Sequence, residues 1–476
     1  MQGRPVTPRR QRTKAVRGWV LLVAAVLAAG ACTSTGTPDE SIQDTPRAHK
    51  MPPPPPVEPA EAPDFYMGAA VHLGDPGRPS DGKTIGEIAL TEMGVQSLRE
   101  EVAWSTPAES TKKFDIIGKH GGKMLLVLGY GNPHFMEGGG FPNTAAERGA
   151  FLEYANQTIK KIGPQNLAGI EVWNEWNVYM GWFDPFPKRS WGAPCPDDPS
   201  DSAGCPVMYA KLVETLLYPE REGLDIPSLR ETAPGVPVLT NSISARDEDW
   251  TKASMGYLRD NAVQVDGALI HPYVSHPNGC PSTNTSAPAG PMISVKCIVT
   301  VSNEIAAVYG QQLPMWATEV GWSRGGDRSV TPDVQARYVV ELYVRARATG
   351  VVRGVWWYDL QDDLVDDESV RAFGLVGRHP EDERFPGELH PSGHAYVALA
   401  AFWKGCSDMD GSWDGRTFSI SCEDETRQII LSATKAELRQ ASADGATLVD
   451  LLGQLPDVGP GEDTSSLAGH HVGVIP

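Results

Sequence analysis

Two glutamates in this chain stand where a carboxyl group is costly. Glu175 ends the run AGIEVWNE (168–175), and Glu319 lies near the end of LPMWATEV (313–320). Both runs are mostly apolar, and Trp, Asn and Gly flank the glutamates. A solvated helix face therefore describes them poorly, since an unpaired charge in such a setting costs free energy. Two carboxyl groups brought to one cleft can divide the work, one protonated and donating, the other ionised and attacking. Other chemistry-bearing residues close similar runs: Arg99, Asn174, His271-Pro272-Tyr273 and Trp357-Tyr358-Asp359. The structural alternative is a plain ion pair between a glutamate and Arg99.

Eight short runs carry these residues: 66–72, 95–100, 123–131, 168–175, 236–242, 266–273, 313–320 and 351–360. They are apolar throughout rather than alternating, as strands buried on both faces of a parallel sheet are. Helical stretches such as 145–163 and 331–350 separate them. Eight strands alternating with helices predict an α/β fold, a (β/α)8 TIM barrel over residues 65–405, with working residues at the C-terminal strand ends. A doubly wound sheet is the competing fold, but no Gly-rich phosphate turn follows an early strand. Residues 406–476 differ, with short strands and Gly/Asp turns that predict a small C-terminal β-rich appendage.

The chain of 476 residues is 41% hydrophobic and 21% charged, which excludes a wholly disordered protein. Its formal charge of -19 opposes phosphate binding, so no nucleic-acid partner is expected. Residues 1–31 read as a signal peptide. Arg4, Arg9, Arg10, Arg12, Lys14 and Arg17 precede an apolar run at 18–31 that is too short for a comfortable span. The run ends Ala29-Gly30-Ala31-Cys32, which looks like a bacterial lipobox, with Ala29 where Leu is usual. That likeness implies cleavage before Cys32, lipid on its thiol and an extracytoplasmic, membrane-anchored location. Residues 32–64 form a linker whose consecutive prolines favour an extended spacer of ~3.1 Å per residue.

The chain has seven cysteines. With Cys32 lipidated, an even number remains in an exported protein, which reads as disulfides. Sequence alone does not fix the pairing; proximity favours Cys195–Cys205, Cys280–Cys297 and Cys406–Cys422. None of these pairs has C-x2-C spacing, so no metal site is expected from them.

The segments WNEWN around Glu175, HPY at 271–273, MWATEVGW around Glu319 and WWYDLQDD at 356–363 resemble, in order and strand placement, clan A glycoside hydrolases. The resemblance spans roughly the barrel and is closest in style to families 39 and 5. It implies a retaining hydrolase that needs no cofactor. Glu175 would be the acid/base and Glu319 the nucleophile. Asn174 would bind a sugar 2-hydroxyl, and Arg99 and Tyr273 would keep Glu319 ionised. Burial near Trp173 and Trp176 suits a carboxyl group that must hold a proton. His271 and Asp359 are candidate substrate contacts, and Trp357 a stacking floor for a sugar ring. The loop after Glu175 carries Trp176, Tyr179, Trp182, Phe183, Phe186 and Trp191, which suit flat sugar faces or plug the loop onto the barrel.

An oligo- or polysaccharide substrate and a monomeric state are therefore expected. Two other readings compete: a non-catalytic carbohydrate-binding protein on the same barrel, and a metal-dependent hydrolase using His72, His271 and Asp359. The first strand lacks an H-x-H pair, which ranks the metal reading low.

Overall fold

The computed structural model describes residues 65–73, 84–104, 114–129, 142, 144–179, 204–273, 290–327, 329–365, 367–379, 386–406, 411–423 and 425–476. The signal segment, Cys32, the Pro-rich stretch, Cys195, Cys280, Trp182, Phe183, Phe186 and Trp191 lie outside them, as do the side chains of Tyr179 and Cys205.

Eight parallel strands close into a barrel: β1 Tyr66–Ala70, β2 Ser97–Ala103, β3 Lys123–Gly129, β4 Leu167–Val172, β5 Val238–Thr240, β6 Gly267–Ile270, β7 Met315–Val320 and β8 Val352–Trp357. Each expected run overlaps one of them, though β2 runs on to Ala103 and β4 starts one residue early, and β1 pairs with β8 to complete the ring. The fold is the expected (β/α)8 barrel. β4 is buried along its whole length, as a strand with one face on the barrel interior and the other on helices must be.

The barrel interior is filled by Tyr66, Leu125, Ala168, Leu239, Leu269, Trp316 and Trp356. The two indoles stack at 5.4 Å with 13° between planes, and Trp356 Nε1 donates to Ser97 Oγ at 3.2 Å. Room for Trp356 comes from Gly68 on β1 and Gly354 on β8, where any Cβ would collide with the indole. Because Trp356 points inward, the next residue, Trp357, points to the helical layer.

The helices begin where the sequence supplies caps. Ala145–Ile162 starts at a Thr144/Glu147 capping box, and Pro332–Arg347 at a Thr331 cap followed by proline. From outside, Tyr343 and Tyr396 donate to the Gly68 and Met67 carbonyls of β1. The apolar helix Pro291–Tyr309 is long enough to span a membrane, but it is the barrel helix between β6 and β7, with Val295, Ile298, Val301 and Ile305 buried.

The C-terminal region forms an antiparallel sheet of five strands, in the order Ser412–Trp413, Thr417–Cys422, Glu425–Ile430, Val472–Ile475, Thr447–Asp450. Helix Lys435–Ala443, which the sequence reading omits, is announced by a Thr434/Glu437 capping box. The sheet shares one apolar core with the barrel, Phe418, Ile420 and Ile429 joining Leu399 and Phe402. Arg427 Nη1 donates to the Phe402 carbonyl at 2.6 Å. A Cys406–Cys422 disulfide ties the end of the barrel to the second strand of the sheet, as proximity suggests. Cys297 is also disulfide-bonded, with its partner outside the described residues.

Candidate active site

The residues singled out from sequence converge at the C-terminal mouth of the barrel. Arg99 reaches inward from β2 and is nearly buried. Its Nε and Nη2 donate to the two carboxylate oxygens of Glu171 on β4, each at 2.9 Å. Nη2 also donates to Asn174 Oδ1 at 2.7 Å, and Nη1 to Glu319 Oε1 on β7 at 2.6 Å. One guanidinium thus binds two carboxylates and an amide. Such bidentate charge-assisted bonds fix orientation as well as charge. Glu171 is fully buried, which alone would raise its pKa, but the charge and hydrogen bonds of Arg99, then His271, push it down to about 2.

Glu175 stands just past the end of β4 in a turn that L-residues rarely adopt. Trp173 has φ 66° and Glu175 φ 44°, a left-handed conformation that costs of order ~1–2 kcal/mol per residue. Ser242, beyond β5, secures the turn. Its hydroxyl donates to the Trp173 carbonyl at 2.9 Å and accepts from the Glu175 N–H at 3.1 Å, and its carbonyl accepts from the Trp176 N–H at 3.2 Å. The turn aims Glu175 across the mouth, while Trp173 and Trp176 pack together at 4.8 Å in the outer core.

His271 follows β6 and is fully buried between the carboxylates. Its Nδ1 lies 2.7 Å from Glu175 Oε1 and 3.6 Å from Glu319 Oε2. Its Nε2 lies 3.0 Å from Thr318 Oγ1 and 3.6 Å from Glu171 Oε1. Burial disfavours the cation, yet the charge of Glu319 and hydrogen bonds to Glu171 and Glu175 push its pKa up to about 9. Tyr273 donates its hydroxyl to Glu319 Oε2 at 3.1 Å. Burial and the charge of Glu319 hold that phenol well above its ordinary pKa, so it stays a donor. One oxygen of Glu175, one of Glu319 and a ring nitrogen of His271 lie within 4.8 Å of one another.

A second cluster occupies the rim beside β1 and β8. His72 Nε2 lies 3.3 Å from Asp359 Oδ2 and 3.7 Å from Asp363 Oδ1. The Tyr358 hydroxyl donates to Asp363 Oδ2 at 3.2 Å. Desolvation opposes the His72 cation, but Asp359 and Asp363 raise its pKa well above the ordinary value. Asp363 is pushed up to about 7 by burial and by the charge of Asp359. Both clusters have the donor types that hold divalent ions. The metal set weighed from sequence is divided between them: His72 and Asp359 share one, His271 belongs to the other.

Arg99, Asn174, Glu175, His271, Tyr273 and Glu319 therefore meet in one network, with Asp359 on the neighbouring rim. Trp357 departs from expectation. It is fully buried, packs on Trp322 at 5.8 Å and donates to the Phe373 carbonyl at 3.1 Å, so it offers no face to a sugar. Tyr358 comes to the mouth instead, its ring 6.1 Å from His72 and 6.3 Å from Tyr273. Sequence reading also passes over Glu171, Ser242 and Thr318. For Glu171 the signal was present as a lone carboxylate inside an otherwise apolar strand.

No family model and no curated protein matches the chain. Solved structures do. A family 39 glycoside hydrolase from the gut symbiont Bacteroides cellulosilyticus WH2 superposes with a TM-score of 0.56 at 20% identity, covering 87% of this chain and 80% of that one. A monomeric β-xylosidase from Caulobacter crescentus CB15 follows at 0.51 and 17%, covering 78% and 75%. A glucosidase from Croceicoccus marinus gives 0.50 and 10%, covering 80% and 78%. The likeness is one of architecture, and in architecture the chain is similar to the clan A glycoside hydrolases.

Proposed function

We propose that this chain is an exported, retaining glycoside hydrolase that cleaves O-glycosidic bonds of an oligo- or polysaccharide by double displacement. The observation that carries the reading is the meeting of Glu175 and Glu319, with oxygens within 4.8 Å around His271. Retaining pairs sit ~5–5.5 Å apart and inverting pairs ~6.5–9.5 Å, so the arrangement favours retention. Glu319 is the nucleophile, because Arg99 and Tyr273 both donate hydrogen bonds to its carboxylate and hold it in place. It attacks the anomeric carbon while the bond to the leaving oxygen breaks, and Glu175 supplies the proton that oxygen needs. Glu175 then takes a proton from the water that attacks the same carbon and frees Glu319. Asn174 and Asp359 are the hydroxyl-binding groups.

Aryl β-xylosides and aryl glucosides of both anomeric configurations, after the names of two of the similar structures, and then a polysaccharide panel would identify a substrate. Glu319→Gly should then lose turnover ~100-fold or more, and azide should restore it as the glycosyl azide of inverted configuration. Glu175→Ala should fail most on poor leaving groups and with azide give the retained product. Swapped configurations would exchange the two roles. Full activity in either variant would remove that residue from the mechanism, and binding without turnover across the panel would favour the alternative, a carbohydrate-binding barrel without catalysis.

The anchor is part of the proposal and rests on the sequence around Cys32 alone. Cys32→Ala should move the protein from the membrane fraction to the soluble one with activity retained; unchanged sedimentation would refute it.

A further inference from the structure

We propose that His271 stores the proton that Glu175 delivers, and that Glu171 is a positioning residue that keeps His271 charged until Glu319 reacts. This rests on the two-carboxylate reading above and adds a third and fourth participant to it.

The hydrogen bonds around His271 leave room for a proton on each ring nitrogen. Arg99 Nη2 lies 3.5 Å from His271 Nε2, but its two hydrogens are directed to Glu171 Oε1 and Asn174 Oδ1. Nε2 therefore receives no bond from Arg99 and is free to carry its own hydrogen toward Thr318 Oγ1, 3.0 Å away. A proton on Nδ1 then faces Glu175 Oε1 at 2.7 Å, within the range of a charge-assisted bond. The groups facing the ring are Glu171 from β4, Glu175 after it, Glu319 and Thr318 from β7, Arg99 from β2 and Tyr273 after β6. Three carboxylates against one guanidinium leave an excess of negative charge, which one imidazolium partly offsets.

The reaction then moves a single proton out and back. As the glycosidic bond breaks, its electron pair goes to the leaving oxygen. That oxygen takes a proton through Glu175 as His271 Nδ1 gives its own to the same carboxyl group, so Glu175 ends the step as a carboxylate and His271 as a neutral ring. Glu319, now an ester, has lost its charge, and with it the strongest electrostatic support for the imidazolium. The histidine releases its proton at the step that consumes one. In the second step water bonds to the anomeric carbon and the ester bond breaks. The water proton passes through Glu175 to His271, and Glu319 recovers its charge. Protons and charge balance over the cycle. Nε2 keeps its hydrogen throughout, held by Thr318 in the field of Glu171.

Histidine-selective 15N labelling tests this without substrate, with the His271 signals assigned by their loss in His271→Asn. In the wild-type protein His271 should show both ring nitrogens protonated at pH 7 and titrate near pH 9. In Glu319→Gln, which imitates the charge of the ester, the transition should fall by ~1 pH unit or more. Glu171→Gln should lower it as well, with Arg99 still present. Circular dichroism on each variant identifies any that misfolds, and the wild-type titration stands regardless. A neutral His271 at pH 7, or a transition unmoved in a folded Glu319→Gln, overturns the proposal. Because the readout is spectroscopic, those results leave the assignment of Glu175 and Glu319 to be judged by the azide experiment. With a substrate in hand, Glu171→Gln should shift the alkaline limb of kcat to lower pH, which a merely structural role would not do.

Discussion

His271 and His72 both sit against pairs of carboxylates at the same barrel mouth, yet their surroundings answer charge in different ways. Around His271 the carboxylates of Glu171 and Glu319 are held by Arg99, a cation that does not titrate in the working range. Around His72 the close cation is the histidine itself, and Arg378 exerts only a weaker pull on Asp363. The histidine side chains differ in exposure too, 0% for His271 and 37% for His72. The first cluster is a fixed scaffold with one mobile proton. The second adjusts by taking up protons, as the carboxyl of Asp363 near pH 7 already indicates. A guanidinium thus decides whether a crowd of carboxylates is rigid or compliant.

The largest test of that contrast is to remove each cation. Arg99→Ala strands the carboxylate of Glu171 in a dry site, and breaking a buried pair in this way costs ~3–5 kcal/mol. His72→Ala should cost less, because Asp363 can take up a proton when the histidine is gone. Urea unfolding of both variants at pH 7 gives the comparison, and equal losses would erase the distinction.

A smaller effect lies in the pH dependence of stability. Glu171 is depressed to about 2 in the folded state, so its contribution is present above its ordinary pKa of 4.5 and is lost as pH falls toward 2. His271 is raised to about 9, so its contribution is full below 6.5 and is lost as pH rises through 9. Asp363 is raised to about 7, so the stability gained by its protonated form is present below 3.8 and lost as pH climbs through 7. Asp363→Asn should therefore flatten the unfolding free energy between pH 4 and 7 and leave the acid and alkaline declines in place. A decline between pH 4 and 7 that persists in this variant would assign it to other groups.

Much of the site was legible because it sits at strand ends. All eight runs became strands, and the residues closing the fourth, sixth and seventh gathered around one point with Arg99, which lies inside β2 rather than at its end. The misreadings have a common cause. A strand buried on both faces has no polar alternation, so VVRGVWWY does not reveal which tryptophan faces inward. Packing decided it: Trp356 fills the space left by Gly68 and Gly354, which turns Trp357 out and brings Tyr358 to the mouth. Glu171 escaped because attention to strand ends passes over a carboxylate within a strand, and the partner that makes it tolerable lies 72 residues away. The helix Lys435–Ala443 was legible through its Thr434/Glu437 box, but the surrounding turns dominated the reading.

Arg99 also bears on how the chain is made. Its partners arrive in sequence: Glu171 with the fourth strand, His271 after the sixth, Glu319 with the seventh. In chain order the first four strands carry Arg99 and Glu171, whose charges compensate each other, and the Glu319 carboxylate that Nη1 binds comes only with the seventh. The seventh strand supplies that carboxylate, one strand before the eighth pairs with the first to complete the ring. A chain ending before that strand would carry Arg99 and Glu171 without the carboxylate proposed as the nucleophile.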